Sequence, residues 1–212
     1  MPSPKAMTGV VAQVAPSLKA EGFRRFGASF NRVAEPGLVH VVGFQASKWG
    51  DEFTVNVGIY VREIDELFTS YWNRSRVGLP GVDRAVKEYE CWIRARLGEI
   101  PAGGRDRWWK YTNLDAAAAD IAARLRADAA RAFAAAGSRT ALMAWWRDRE
   151  RRPFGWQFEP RTPLGAALLM MQSGAVDEAQ AVVDAVCAES EGKPSHHFVS
   201  ILAEQIGVRP CG

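Results

Sequence analysis

Apolar residues recur along this chain at two periods, and the change from one to the other divides it. Val10, Val14 and Leu18 lie at helical spacing, so a helix is expected from about Met7 to Glu21, bent or split at Pro16. Gly22 suits the left-handed position just past a last helical turn, which places Phe23 to pack back on Leu18. Period two follows. Phe26, Ala28 and Phe30 alternate with Arg25, Ser29 and Asn31, and Glu35-Pro36-Gly37 then makes a turn. His40, Val42, Phe44 and Ala46 alternate with Val41, Gly43, Gln45 and Ser47 up to a turn at Trp49-Gly50-Asp51. Phe53, Val55, Val57 and Ile59 alternate with Thr54, Asn56, Gly58 and Tyr60. Connections this short predict an antiparallel meander.

A helix from Ile64 to Trp72, a loop from Asn73 to Arg84 and a fourth strand from Glu90 to Ile100 complete the first half, with Pro101-Ala102-Gly103-Gly104 ending that strand. The helical period then returns. Thr112 and Asp115 have capping-box spacing for a helix beginning at Thr112 or Asn113, with Leu114, Ala118, Ile121, Leu125 and Phe133 as its buried stripe. Full burial of each large side chain in that stripe contributes about 1.5–3 kcal/mol, so packing decides where the helix docks. Gly137 ends it. Ser138 caps a second helix carrying Leu142, Met143, Trp145 and Trp146, which Arg151-Arg152-Pro153 stops. Helices from Pro163 to Ser173 and Val176 to Glu189, joined at Gly174, have small and large positions resembling one tetratricopeptide-type hairpin, though a plain helical hairpin has the same pattern. Ser195 is placed to cap a last helix from His196 to Ile206.

The predicted class is α+β: an N-terminal helix and a meander of about four strands over residues 1–111, then a helical region over 112–212 that packs on it or continues it. At 212 residues the chain can bury a core without metal or disulfide staples. Its 27 basic and 24 acidic residues balance too closely to make a global footprint for nucleic acid or anionic membrane. Cys91, Cys187 and Cys211 are odd in number and in no zinc or disulfide spacing, so they read as reduced thiols of a cytoplasmic protein. The N-terminus lacks the apolar stretch of a signal peptide, and the apolar run Leu164 to Met171 falls far short of the about 20 residues of a membrane span.

The stretches Gly22-Phe23-Arg24-Arg25, Phe30-Asn31-Arg32, Gln45-Ala46-Ser47-Lys48 and Phe53-Thr54-Val55-Asn56-Val57-Gly58 follow one another in order, with a looser continuation from Trp92 to Trp109. In them the N-terminal half resembles the bacterial family called domain of unknown function 4304. The resemblance supports the α+β class and supplies no catalytic residues.

Candidate chemistry centres on the polar parity of the meander. It sets Arg25, Asn31, Gln45 and Asn56 on one side of the sheet, with Tyr60 near its end and Lys48 at the rim. Amides, a guanidinium and a phenol could hydrogen-bond a small polar ligand or an unidentified protein, or could simply form the solvated face of a sheet. An enzyme acting on a polar or phosphorylated substrate through Arg25, Gln45, Lys48 and Asn56 is the alternative, although no catalytic or cofactor motif is present. His40 shares parity with Val42 and Phe44, which favours a satisfied core histidine over a general base. His196 and His197 diverge by about 100° on a helix, an awkward geometry for one metal. Arg105-Asp106-Arg107-Trp108-Trp109-Lys110 interleaves cations with aromatics, as single-strand nucleic-acid grooves do, and Arg147, Arg149, Arg151 and Arg152 form a second basic cluster. Tryptophans anchoring a core, with arginines over their rims, have the same pattern.

Overall fold

The computed structural model describes residues 4–71, 85–101, 104–148 and 161–212. The expected loop from Asn73 to Arg84 and the basic residues Arg149, Arg151 and Arg152 lie outside these. The first helix, α1 (Pro4–Ala20), buries Val10, Val14 and Leu18 and contains Pro16. Its end is the one read from sequence: Gly22 has φ 84°, and the Phe23 N–H returns to the Leu18 carbonyl at 3.0 Å.

Six strands form one antiparallel sheet among the described residues: β1 (Arg24–Phe26), β2 (Ser29–Glu35), β3 (Leu38–Ala46), β4 (Glu52–Val61), β5 (Ile93–Arg96) and β6 (Trp109–Lys110). The first five lie in chain order, and β6 pairs with the start of β4. The expected first strand is in fact a hairpin, because Gly27-Ala28 makes a two-residue turn and Phe26 pairs with Ser29. Gly27 has φ 66°, on the left-handed side that a two-residue hairpin turn requires. The fourth expected strand shrinks to β5, flanked by single 3-10 turns at Glu88–Glu90 and Leu97–Glu99.

Between β4 and β5, α2 (Arg62–Tyr71) turns toward the C-terminal helices. Asn113 caps α3 (Leu114–Arg124) by accepting from the Ala116 N–H at 3.1 Å. A π-turn (Leu125–Ala129) then interrupts the α-period before α4 (Ala130–Ala135). Ser138 caps α5 (Arg139–Arg147) as its spacing predicts. Next come α6 (Arg161–Gln172), α7 (Val176–Ser190) and α8 (Ser195–Ile206), with Gly174 at φ 83° between the first two. The apolar run Leu164 to Met171 is part of α6, with Leu164 and Met170 buried, and no described helix is long and apolar enough to cross a membrane.

One face of the sheet carries Phe30, Val42, Phe44, Phe53, Val55, Val57 and Ile59 into a single hydrophobic core that reaches through α1 and α3 to α8. Arg139 adds a polar tie between the halves. Its guanidinium meets both carboxylate oxygens of Glu63 at 2.5 and 2.9 Å, Glu35 at 3.2 Å and the Pro36 carbonyl at 3.0 Å. The cysteines depart from expectation, since Cys187 and Cys211 form a disulfide that fastens the C-terminus to α7 and leaves only Cys91 free. Their separation of 24 positions is no recognisable motif, and what joins them is the return of the chain after α8. The reading of Cys187 and Cys211 as reduced thiols is thereby corrected.

Candidate functional site

Directly opposed residues of an antiparallel pair share a face, so the register decides which side chains the polar side of the sheet holds. Across the middle of that side run Ser29, Gly43, Asn56 and Arg96, each opposite the next. Asn31, Gln45 and Tyr60 share this face, as their parity predicts. Arg25 does not. The Gly27-Ala28 turn puts it opposite Phe30, on the other side, where its Nε donates to the Gly27 carbonyl at 2.9 Å; Arg24, opposite Asn31, takes the place assigned to it. The set Arg25, Gln45, Lys48 and Asn56 therefore does not line one face.

The residues just before β5 form a strap across half of this face. Asn31 donates from Nδ2 to the Val86 carbonyl at 2.9 Å and accepts the Val86 N–H at 2.8 Å. Val86 packs with Val41 and Tyr60, and Cys91 joins them. Tyr60 is buried, its hydroxyl donating to Asp65 at 3.2 Å; burial first, and Asp65 next, raise its pKa. Burial and Glu88 likewise push the Cys91 thiol up, so it is a poor nucleophile. Asn31 and Tyr60 thus hold structure in place.

At the end of the face nearest the β3–β4 turn, Thr54 and Asn56 are buried, with Thr54 donating to the Arg107 carbonyl at 2.8 Å, and what stays exposed is Gln45 and the turn residues Lys48 and Trp49. Asn56 donates to the Gln45 side-chain oxygen at 2.8 Å, with Gln45 exposed. At the turn Lys48 lies 4.7 Å from the centre of the Trp49 ring, and Trp49 is 79% exposed. Arg96 lies over Trp108 at 4.7 Å and pairs with Asp106, whose carboxyl it holds below the usual range. Trp109 is buried, stacked on Phe53 and bonded to Asp120 at 2.9 Å, and Asp120 also pairs with Arg107. The interleaved cations and aromatics from Arg105 to Lys110 are to that extent folded onto one another and onto acids.

On the core side, His40 and Arg32 face each other across β2 and β3. A guanidinium only donates, so the Arg32 contact at 3.1 Å makes His40 Nδ1 an acceptor and leaves the proton on Nε2, which donates to the Ala136 carbonyl at 2.9 Å. His40 stacks on Phe133 at 4.6 Å, and burial lowers its pKa to about 4. It is the satisfied core histidine its parity suggests. His196 bonds to the Ser190 hydroxyl at 3.1 Å, and no group of three potential ligands converges on a metal position among the described residues.

Residues 14–135 match the family described as Domain of unknown function (DUF4304). The chain belongs to that family. No curated protein and no solved structure matches it. The matched region of this DUF4304 protein takes in the sheet, the strap and the π-turn, and stops just before the cap of α5. Sequence reasoning missed the strap and the Arg32–His40 pair. The only local signal for either was the pair of glycines, Gly43 and Gly58, on a face otherwise polar or β-branched: a Cβ on Gly58 would stand 2.5 Å from the Cys91 sulfur.

Proposed function

We propose that this DUF4304 protein is a non-enzymatic interaction protein that docks another protein at the β3–β4 turn and the exposed rim of its polar sheet face beside it. The observation that carries this reading is Trp49, a large aromatic held 79% exposed at the tip of a well-paired hairpin, with Lys48 against its ring and the Gln45–Asn56 amide pair beside its base. Exposed tryptophan on a rigid support is the kind of side chain that dominates interface energies, and amides supply the hydrogen bonds of a polar rim. Asn31 and Tyr60 serve this reading only by fixing the strap that borders the surface. Among the described residues, the turn and rim supply hydrogen bonds and an aromatic anchor but no nucleophile paired with a base, which is why binding is preferred to catalysis.

A photoreactive amino acid placed at Trp49 in native cells, with a second variant carrying it at the exposed helix position Ala123 as control, tests the reading. A discrete adduct at Trp49, absent at Ala123 and weakened by Gln45→Ala/Asn56→Ser, is the expected result. Equal labelling at both positions, or none at either, would rule the docking surface out.

A further inference from the structure

After α8 the chain turns back onto α7. Gly207, at φ 91°, ends α8; the Val208 N–H returns to the Ala203 carbonyl at 3.1 Å, and the Val208 side chain is buried. Beyond it, the Arg209 N–H donates to the Gln180 side-chain oxygen at 2.8 Å, and Gln180 Nε2 donates to the Arg209 carbonyl at 3.3 Å. About two turns further along α7, on the same side of the helix, Cys187 is bonded to Cys211.

Apart from that bond, little holds residues 209–212 in place. Arg209, Pro210 and Gly212 are exposed, and both hydrogen bonds to Gln180 lie within reach of water. Such bonds give a small net gain, because water competes for the same groups, whereas ordering the tail costs backbone entropy at each of its residues. With the sulfurs joined, the order is imposed covalently. With them parted, entropy wins and the tail leaves α7. The release stops at Val208, whose buried side chain and bond to Ala203 belong to the end of α8. Cys187 and Cys211 are each only half-buried, which opens the bond to attack by an external thiolate.

We propose that Cys187 and Cys211 form a redox latch, which holds residues 209–212 against α7 when oxidised and frees them when reduced by a small thiol such as glutathione. A reductant thiolate attacks one sulfur, the S–S bond breaks, and the other cysteine leaves as a thiolate that takes up a proton. A second reductant thiol then displaces the first as a disulfide, so the protein gains two electrons and two protons and the reductant loses them. Opening uncovers the side of α7 that carries Gln180 and Cys187, and oxidised glutathione reverses each step. Both cysteines lie outside residues 14–135, so the latch is separate from the matched domain and from the docking surface at Trp49.

Equilibration of the full chain in glutathione buffers tests this, with alkylation counting free thiols and NMR relaxation reading the tail. In about 10 mM glutathione with roughly a hundredfold excess of the reduced form, most chains should have the bond open, and it should re-form in the oxidised form. On opening, the order of the Arg209 and Cys211 amides should fall to that of a free terminus, while Val208 and α7 keep theirs. Cys211→Ser should have the mobile tail without reductant, whereas oxidised Gln180→Ala should keep its tail in place. A bond that stays closed in the reducing buffer, or that fails to re-form in the oxidising one, would make it no latch. A tail as ordered in Cys211→Ser as in the oxidised parent, or released in oxidised Gln180→Ala, would equally overturn the proposal.

Discussion

Asn31 closes two hydrogen bonds on the backbone of Val86, 55 positions away in sequence, and through them pins the strap to the polar side of the sheet. A carboxamide suits the task because it offers a donor and an acceptor side by side, matching one residue's carbonyl and N–H. Glycine completes the fit beneath, since Gly58 leaves room for the Cys91 side chain.

Asn31→Ala should destabilise the protein by about 2–4 kcal/mol, because it strands a buried N–H and a buried carbonyl on Val86. Asn31→Asp keeps the acceptor but loses the donor, and should do no better. Urea unfolding reads both; a loss below about 0.5 kcal/mol for Asn31→Ala would mean water replaces the side chain without cost.

Gly58→Ala and Gly43→Ala should differ although both lie under the strap. At Gly58 the new methyl meets the Cys91 sulfur at 2.5 Å and its Cβ at 2.8 Å, so the strap must move, at about 1–3 kcal/mol. At Gly43 it meets first the end of the Glu88 carboxylate at 2.8 Å, which can swing aside. Adding Cys91→Gly to Gly58→Ala should restore part of the loss, and no recovery in that double variant would locate the strain elsewhere.

Stability should fall as pH drops from about 6.5 to about 4 through His40. Its folded pKa is the lower one, so over that window the unfolded chain takes up a proton that the folded chain refuses. The contribution is fully present above the unfolded value and is lost on acidification, up to roughly 3 kcal/mol. His40→Phe keeps a ring for Phe133 to stack on and does not titrate. It should start less stable, having left Arg32 without its acceptor, and lose less over the same range in denaturant titrations.

Reduction of the Cys187–Cys211 bond, which spans 24 positions, should cost about 2–4 kcal/mol through the freedom it returns to the unfolded chain. Thermal melts with and without reductant measure this, and Cys211→Ser should melt like the reduced protein and ignore reductant. A reductant-sensitive melt in Cys211→Ser would assign the effect to some other group.

Where a signal lies within a few residues, this sequence carries much of it, although Ser195, expected as a cap, is the first residue of α8 and caps nothing. The Gly22 stop of α1, the alternation of β3 and β4, the Pro36-Gly37 turn, the Ser138 cap and the Gly174 break between α6 and α7 all appear where turn and cap chemistry place them. Alternation alone could not show that Gly27-Ala28 folds the chain back. A two-residue turn keeps Phe26 and Phe30 in apparent phase while moving Arg25 to the other face, so the candidate site lost a member for a reason no period reveals. The same limit governs the rest: Asn31 with Val86, Arg32 with the Phe133 ring, Arg139 with Glu63 and Cys187 with Cys211 join positions whose nearness is set by sheet register and helix docking. Backbone preferences act over one turn or one strand, whereas burial and hydrogen-bond pairing act between surfaces that meet only once the chain is folded. The sequence by itself therefore determined the elements and their order, and tertiary packing decided which polar groups are consumed as structure and which remain open at Gln45 and Trp49.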